Sequence, residues 1–87
     1  MTPGTQALMT ETVDGRRGVI RVHGHLSVQG ADLLRGTVEG LARSGRGRVL
    51  LDLQEVTGVD RPARDLLGAL QVRLAAVGTV VRIVELP

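Results

Sequence analysis

The succession of hydrophobic patterns along this chain predicts an α/β fold: a mixed four-stranded sheet, an N-terminal hairpin followed by parallel strands, with two helices packed on one face. Three observations predict it. Short β-branched runs alternate with longer stretches whose apolar residues recur at three- and four-residue steps, the pattern of strands alternating with amphipathic helices. The first two strand-like runs are joined only by DGRRG, a short glycine-bearing linker of the hairpin type. The later runs are separated by whole helices, and such units close right-handed into parallel strand pairs.

The elements follow in order. MTPG is expected to be a loose end, with residues 1–5 a flexible N-terminus and residues 6–87 a single domain. QALMTETV, residues 6–13, reads as the first strand and leads to the turn signal Asp14-Gly15. GVIRV, residues 18–22, is the second strand. Ala31, Leu34, Val38 and Leu41 then mark a helix with one buried stripe, with Ser27 placed as its N-cap and Gly45 placed to end it. Gly30, Gly36 and Gly40 weaken this helix by about 1 kcal/mol each relative to Ala, so packing on a sheet must hold it. RVLLDLQ, residues 48–54, is the most continuous apolar run and reads as a central strand buried on both faces, followed by the loop EVTGVD. Ala63, Leu66, Leu67, Leu70, Leu74 and Val77 space a second helix that Gly78 closes. TVVRIV, residues 79–84, is the last strand. With both helices on one face, the other face of the sheet must be polar or covered by a partner or a second copy.

Composition narrows the function. At 87 residues the chain has room for one small core. It contains no Cys, which excludes disulfides and thiolate chemistry and makes a reducing cytoplasm the expected compartment. It contains no Phe, Trp or Tyr, so platforms for stacking bases or sugars are missing. No apolar run approaches the roughly 20 residues that span a bilayer, and the N-terminus lacks a signal-peptide pattern, so no direct membrane insertion is expected. All basic residues are Arg, and they are interleaved with acids, as in RGTVEGLAR and RPARD, for a net charge of +2. That mixed surface argues against nucleic acid as a partner.

Two stretches resemble a known family. VIRVHGHLSVQGADLLRGTVEGL resembles the opening of a STAS domain, the fold shared by sulfate transporters and anti-sigma factor antagonists, in which a strand ends at a Gly-x-Leu-Asp-like turn before the first helix. VLLDLQEVTGVDRPARDLLGAL resembles its second half: a strand ending in Asp-Leu, a short loop, and an aspartate that starts the second helix. The likeness covers about residues 18–84, and Asp52 and Asp60 sit at the family's interval, with Val56 and Val59 in the expected places. The resemblance implies a non-enzymatic interaction module without a cofactor. Its partner would be an anti-sigma factor with a kinase-like ATP-binding fold, the ATPase of an ABC-type transporter, or a second copy of the chain. The docking surface would comprise Val56, Thr57, Gly58, Val59, Asp60, Arg61, Pro62 and Arg64.

The departures from the family are chemical. Bacterial antagonists carry an Asp-Ser-Ser-Gly-like tetrad whose hydroxyl a kinase phosphorylates; here the tetrad is Asp60, Arg61, Pro62 and Ala63, and Pro62 has no hydroxyl. Phosphate would bring negative charge to this helix start, whereas Arg61 and Arg64 bring positive charge. Ser27 replaces the aspartate of the first turn, and the family's last helix, expected after the fourth strand, has no residues in this sequence.

Plainer roles compete at several positions. Pro62 suits the first helical position, with Arg61 extended before it as the N-cap. Asp60 and Asp65 could offset the two arginines, and Asp52 could accept backbone N–H groups from the segment after its strand. His23 and His25, two apart on a strand, lack a third ligand and point to no metal site. No serine has a histidine spaced to activate it, so no catalytic residue is assigned, and Thr57 is the one hydroxyl in the candidate surface that a phosphate relay could use.

Overall fold

A computed structural model describes residues 9–85. Its elements run β1 (Thr10–Asp14), β2 (Val19–Leu26), α1 (Val28–Arg43), β3 (Arg48–Val59), α2 (Arg61–Ala75) and β4 (Val80–Val84). The strands lie in the order β1-β2-β3-β4. β1 is antiparallel to β2, and β3 is parallel to both its neighbours. This is the mixed sheet with an N-terminal hairpin that the sequence predicts.

Strand alternation builds the core. Ile20 and Val22 of β2, Val49, Leu51 and Leu53 of β3, and Val81 of β4 are buried on one face. Against them pack Ala31, Leu34 and Val38 of α1 and Ala63, Leu67, Leu70 and Leu74 of α2, forming one contiguous cluster. Each fully buried Leu, Ile or Val contributes on the order of 1.5–3 kcal/mol, the term that holds a glycine-bearing helix in place. Ser27 Oγ accepts from the Gly30 N–H at 3.1 Å and caps α1. Gly45 and Gly78 adopt φ of +98° and +97° just beyond α1 and α2, a left-handed turn that glycine makes without strain.

The structure corrects three boundaries and one reading of burial. β2 continues past residue 22 to Leu26 and takes in both histidines. β3 continues past residue 54 to Val59, so the expected loop is extended sheet. β3 is buried on one face only: Leu50 and Asp52 on the opposite face are half-exposed, because no helix covers that side. Val77 is exposed because α2 ends before it, at Ala75. The expected start of the first strand at residues 6–8, and the flexible residues 1–5, lie outside the described residues.

β4 is an edge strand. The Val80 N–H turns inward to the Gly47 carbonyl at 2.9 Å, so Val81 presents its backbone groups outward. Gln71 Nε2, reaching over from α2, donates to the Val81 carbonyl at 2.8 Å. Among the described residues no helix is long and apolar enough to cross a membrane.

Candidate functional site

The carboxyl ends of β2 and β3 lie side by side, the location where parallel sheets place their functional groups. Their pairing is interrupted twice, between Arg21 and His23 and between Gly24 and His25. At the first interruption Asp52 Oδ1 accepts from the Gln54 N–H at 3.0 Å, a side-chain turn that bends β3 where it gains an extra residue. Asp52 Oδ2 also faces Arg21 Nε at 3.5 Å across the open face. At the second interruption Val56 pairs with Gly24 and Gly58 with His25, which leaves Thr57 unpaired and exposed.

Beyond these bulges the chain turns directly into α2. The Asp60 N–H donates to the Leu26 carbonyl at 3.0 Å, tying the helix start to the end of β2. His25 Nε2 lies 2.8 Å from Asp60 Oδ1, a bond that places the imidazole proton on Nε2. Gly58 makes room for the ring: a Cβ there would stand 3.1 Å from His25 Nδ1. Because its carboxylate is turned to His25, Asp60 makes no side-chain cap on α2, although its backbone is the N-cap, with φ −70° and ψ 145°. The cap is therefore Asp60, one residue earlier than the expected Arg61, and Pro62 occupies the second helical position. Proline is tolerated there because the first four helical N–H groups have no intrahelical acceptor.

The arginines divide. Arg64 Nη1 donates to Glu85 Oε2 at 2.7 Å, beyond β4, and that carboxylate holds its guanidinium protonation even higher than usual. Arg61 is exposed and makes no ion pair among the described residues. Offsetting by Asp60 and Asp65 is thus not what the structure shows, since Asp60 pairs with His25 and Arg64 with Glu85. Val56 and Val59 lean on the core, leaving Thr57, Asp60, Arg61, Pro62 and Arg64 as the accessible members of the surface. Beside them a cleft of about 270 Å³, lined by Leu53, Val59, Leu67 and Ile83 with Arg64 and Glu85 at its rim, separates α2 from the strand ends.

His25 is the member that sequence reading did not place in the surface. Its partner lies 35 residues away, and only the parallel register of β2 and β3 unites them. A histidine bonded to a carboxylate suggests part of a catalytic triad, but the other ring nitrogen faces Gly58 and makes no hydrogen bond to a hydroxyl among the described residues. The pair fixes the helix start. His23 stands on the open face across from Thr10, and no group of three His, Cys, Asp or Glu that could hold a metal occurs among the described residues.

Comparison with known proteins adds an independent finding. A family model described as Mlab, STAS domain, matches residues 9–87. No curated protein matches the chain. Among solved structures, the crystal structure of Mglu superposes with a TM-score of 0.62 at 24% identity, covering 85% of this chain and 18% of that one. At that identity the likeness is one of fold, and this chain spans less than a fifth of the matched protein.

Proposed function

This chain belongs to the STAS domain family, matched over residues 9–87, and from that membership we propose that it is a non-enzymatic regulatory docking module of the anti-sigma factor antagonist type, permanently competent to bind. The observation that carries the reading is the start of α2: Asp60 is anchored by His25 and Leu26, Pro62 takes the place of the family's phosphoacceptor, and Arg61 is exposed without a carboxylate partner among the described residues. A helix start held in one geometry, with no hydroxyl at the family's phosphoacceptor position, binds without being switched at that position. The partner is a protein with an acidic contact facing Arg61, in this reading an anti-sigma factor with a kinase-like fold. A guanidinium that is solvated in the free protein gains most when a partner carboxylate meets it in bidentate fashion.

A second reading is favoured by one observation. A helix start that cannot be phosphorylated at the usual position suits a constant subunit as well as a regulator, so the module could serve as an accessory subunit docking on the ATPase of an ABC-type transporter. The two separate by what the protein retains from a native lysate: a soluble kinase-like regulator in the first case, a membrane ATPase in the second. In either case Arg61→Glu should reduce recovery of the partner severalfold, while the thermal midpoint of the variant stays within a few degrees of the parent. Recovery that is indifferent to Arg61→Glu would remove this surface from the proposal.

A further inference from the structure

The far end of the molecule is built differently. Arg16 and Arg17 in the hairpin turn, Arg46 and Arg48 at the start of β3, and Arg82 on β4 gather at the amino-terminal ends of the parallel strands, with Asp14 the one carboxylate among them. The other six arginines are outnumbered by eight carboxylates, so charge is segregated along the strand axis. Asp14 lies 3.8 Å from Arg17, and Arg16, Arg48 and Arg82 have no carboxylate within 4 Å among the described residues.

The framework at this end is fixed. Arg46 donates to the carbonyls of Gly15 and Arg16, and its own carbonyl accepts from Thr79 Oγ1 at 3.1 Å. The hairpin turn approaches β3 so closely that a Cβ on Gly18 would stand 2.8 Å from the Arg48 carbonyl oxygen. Like charges are thus held together by backbone contacts, a repulsive arrangement that an anionic ligand would relieve.

The surface is concave and partly apolar. One cleft of about 590 Å³ is lined by residues 44–48 and Arg17. A second, of about 470 Å³, shares Arg17 and Arg48 and is floored by Leu50 and Val80 on the helix-free face, with Arg82 at its side. Val80 is 52% exposed. Leu50 lies opposite Arg82 and Val80 opposite Arg48, so apolar and basic side chains alternate across the two strands.

We infer that this end is a second docking surface, for an extended acidic protein segment whose carboxylates and aliphatic side chains alternate. The arginines select for negative charge, and the Leu50–Val80 floor selects against a free inorganic anion. With no aromatic residue to stack on bases, the surface favours a polypeptide over nucleic acid. It lies at the opposite strand ends from Asp60 and Arg61, so a partner can occupy each at once.

The test is an amide-resolved NMR titration of the full chain with a short peptide alternating Glu and Leu. Expected are saturable shifts confined to residues 16–19, 46–50 and 80–82, affinity falling at least about tenfold in the Arg48→Glu, Arg82→Glu double variant, and a weaker response to a Glu-Gly peptide. Shifts centred on residues 56–64, equal binding of the Glu-Gly peptide, or tighter binding of a single-stranded oligonucleotide or of phosphatidylglycerol vesicles would each overturn it. Should the double variant fail to fold, the location of the shifts in the parent protein decides alone.

Discussion

Asp60 holds two contacts that a helix-starting aspartate does not ordinarily combine, its N–H on Leu26 and its carboxylate on His25. Both side chains of the His25–Asp60 pair are close to half exposed, which limits its worth to about 0.2–1 kcal/mol. Its importance is geometric, and Gly58 provides the space for it. Gly58→Ala would put a methyl 3.1 Å from the imidazole and is expected to cost about 1 kcal/mol in denaturant unfolding. In a His25→Ala background most of that cost should vanish; a Gly58→Ala penalty of equal size in both backgrounds would show that the ring is not what Gly58 accommodates. At this scale the sequence was legible for Ser27 and Asp52, whose partners are two or three residues away. It was silent on His25, because local spacing carries no information about a contact made across a parallel strand pair.

Among the elements, α1 is the one most visibly under-stabilised by its own residues. Gly36 and Gly40 sit in its interior with nothing within 4 Å of an added Cβ. Gly36→Ala should therefore raise stability by about 0.5–1 kcal/mol, and the thermal midpoint by a few degrees for a domain of this size. A neutral or negative shift in calorimetry would contradict the open space seen there. The apolar spacing located both helices, because their three- and four-residue periods reflect burial against one sheet face. β3 was legible for its first half and misread in its second. Val49, Leu51 and Leu53 alternate, but the two bulges break that alternation, and VTGV then resembles a loop although it is paired to β2.

For the molecule as a whole, the two helices are joined by a charged bridge as well as by the core. Arg73 Nη2 of α2 and Arg35 Nη1 of α1 contact the two oxygens of Glu39 at 2.7 and 3.2 Å. The bond from Arg73, together with Arg35, holds the Glu39 carboxyl below the usual carboxylate range. A lowered folded-state value means stability that is present above the unfolded value, near 4.3, and is lost as pH falls through the lowered one. Glu39→Gln should accordingly destabilise the protein at pH 7, and the two unfolding curves should converge in stronger acid. Parallel curves across that range would show that the bridge contributes nothing through ionisation. The fold was readable at this scale from element order alone. The gathering of Arg16, Arg17, Arg46, Arg48 and Arg82 at one end was not, since acids and arginines that alternate along the chain separate only once strands bring distant turns together.

Gln71 has a further consequence. A sheet that stops at a bare strand is a template, offering its row of unpaired amides to any extended chain that drifts past, including another newly made copy. By occupying the outward carbonyl of Val81, the α2 side chain takes away one acceptor that such a chain would need, so docking of the helix blunts this edge. During synthesis β4 emerges after α2, so the guard is already made when the edge it protects first forms. The order in which the parts appear thus places a cover on this edge from the moment it forms.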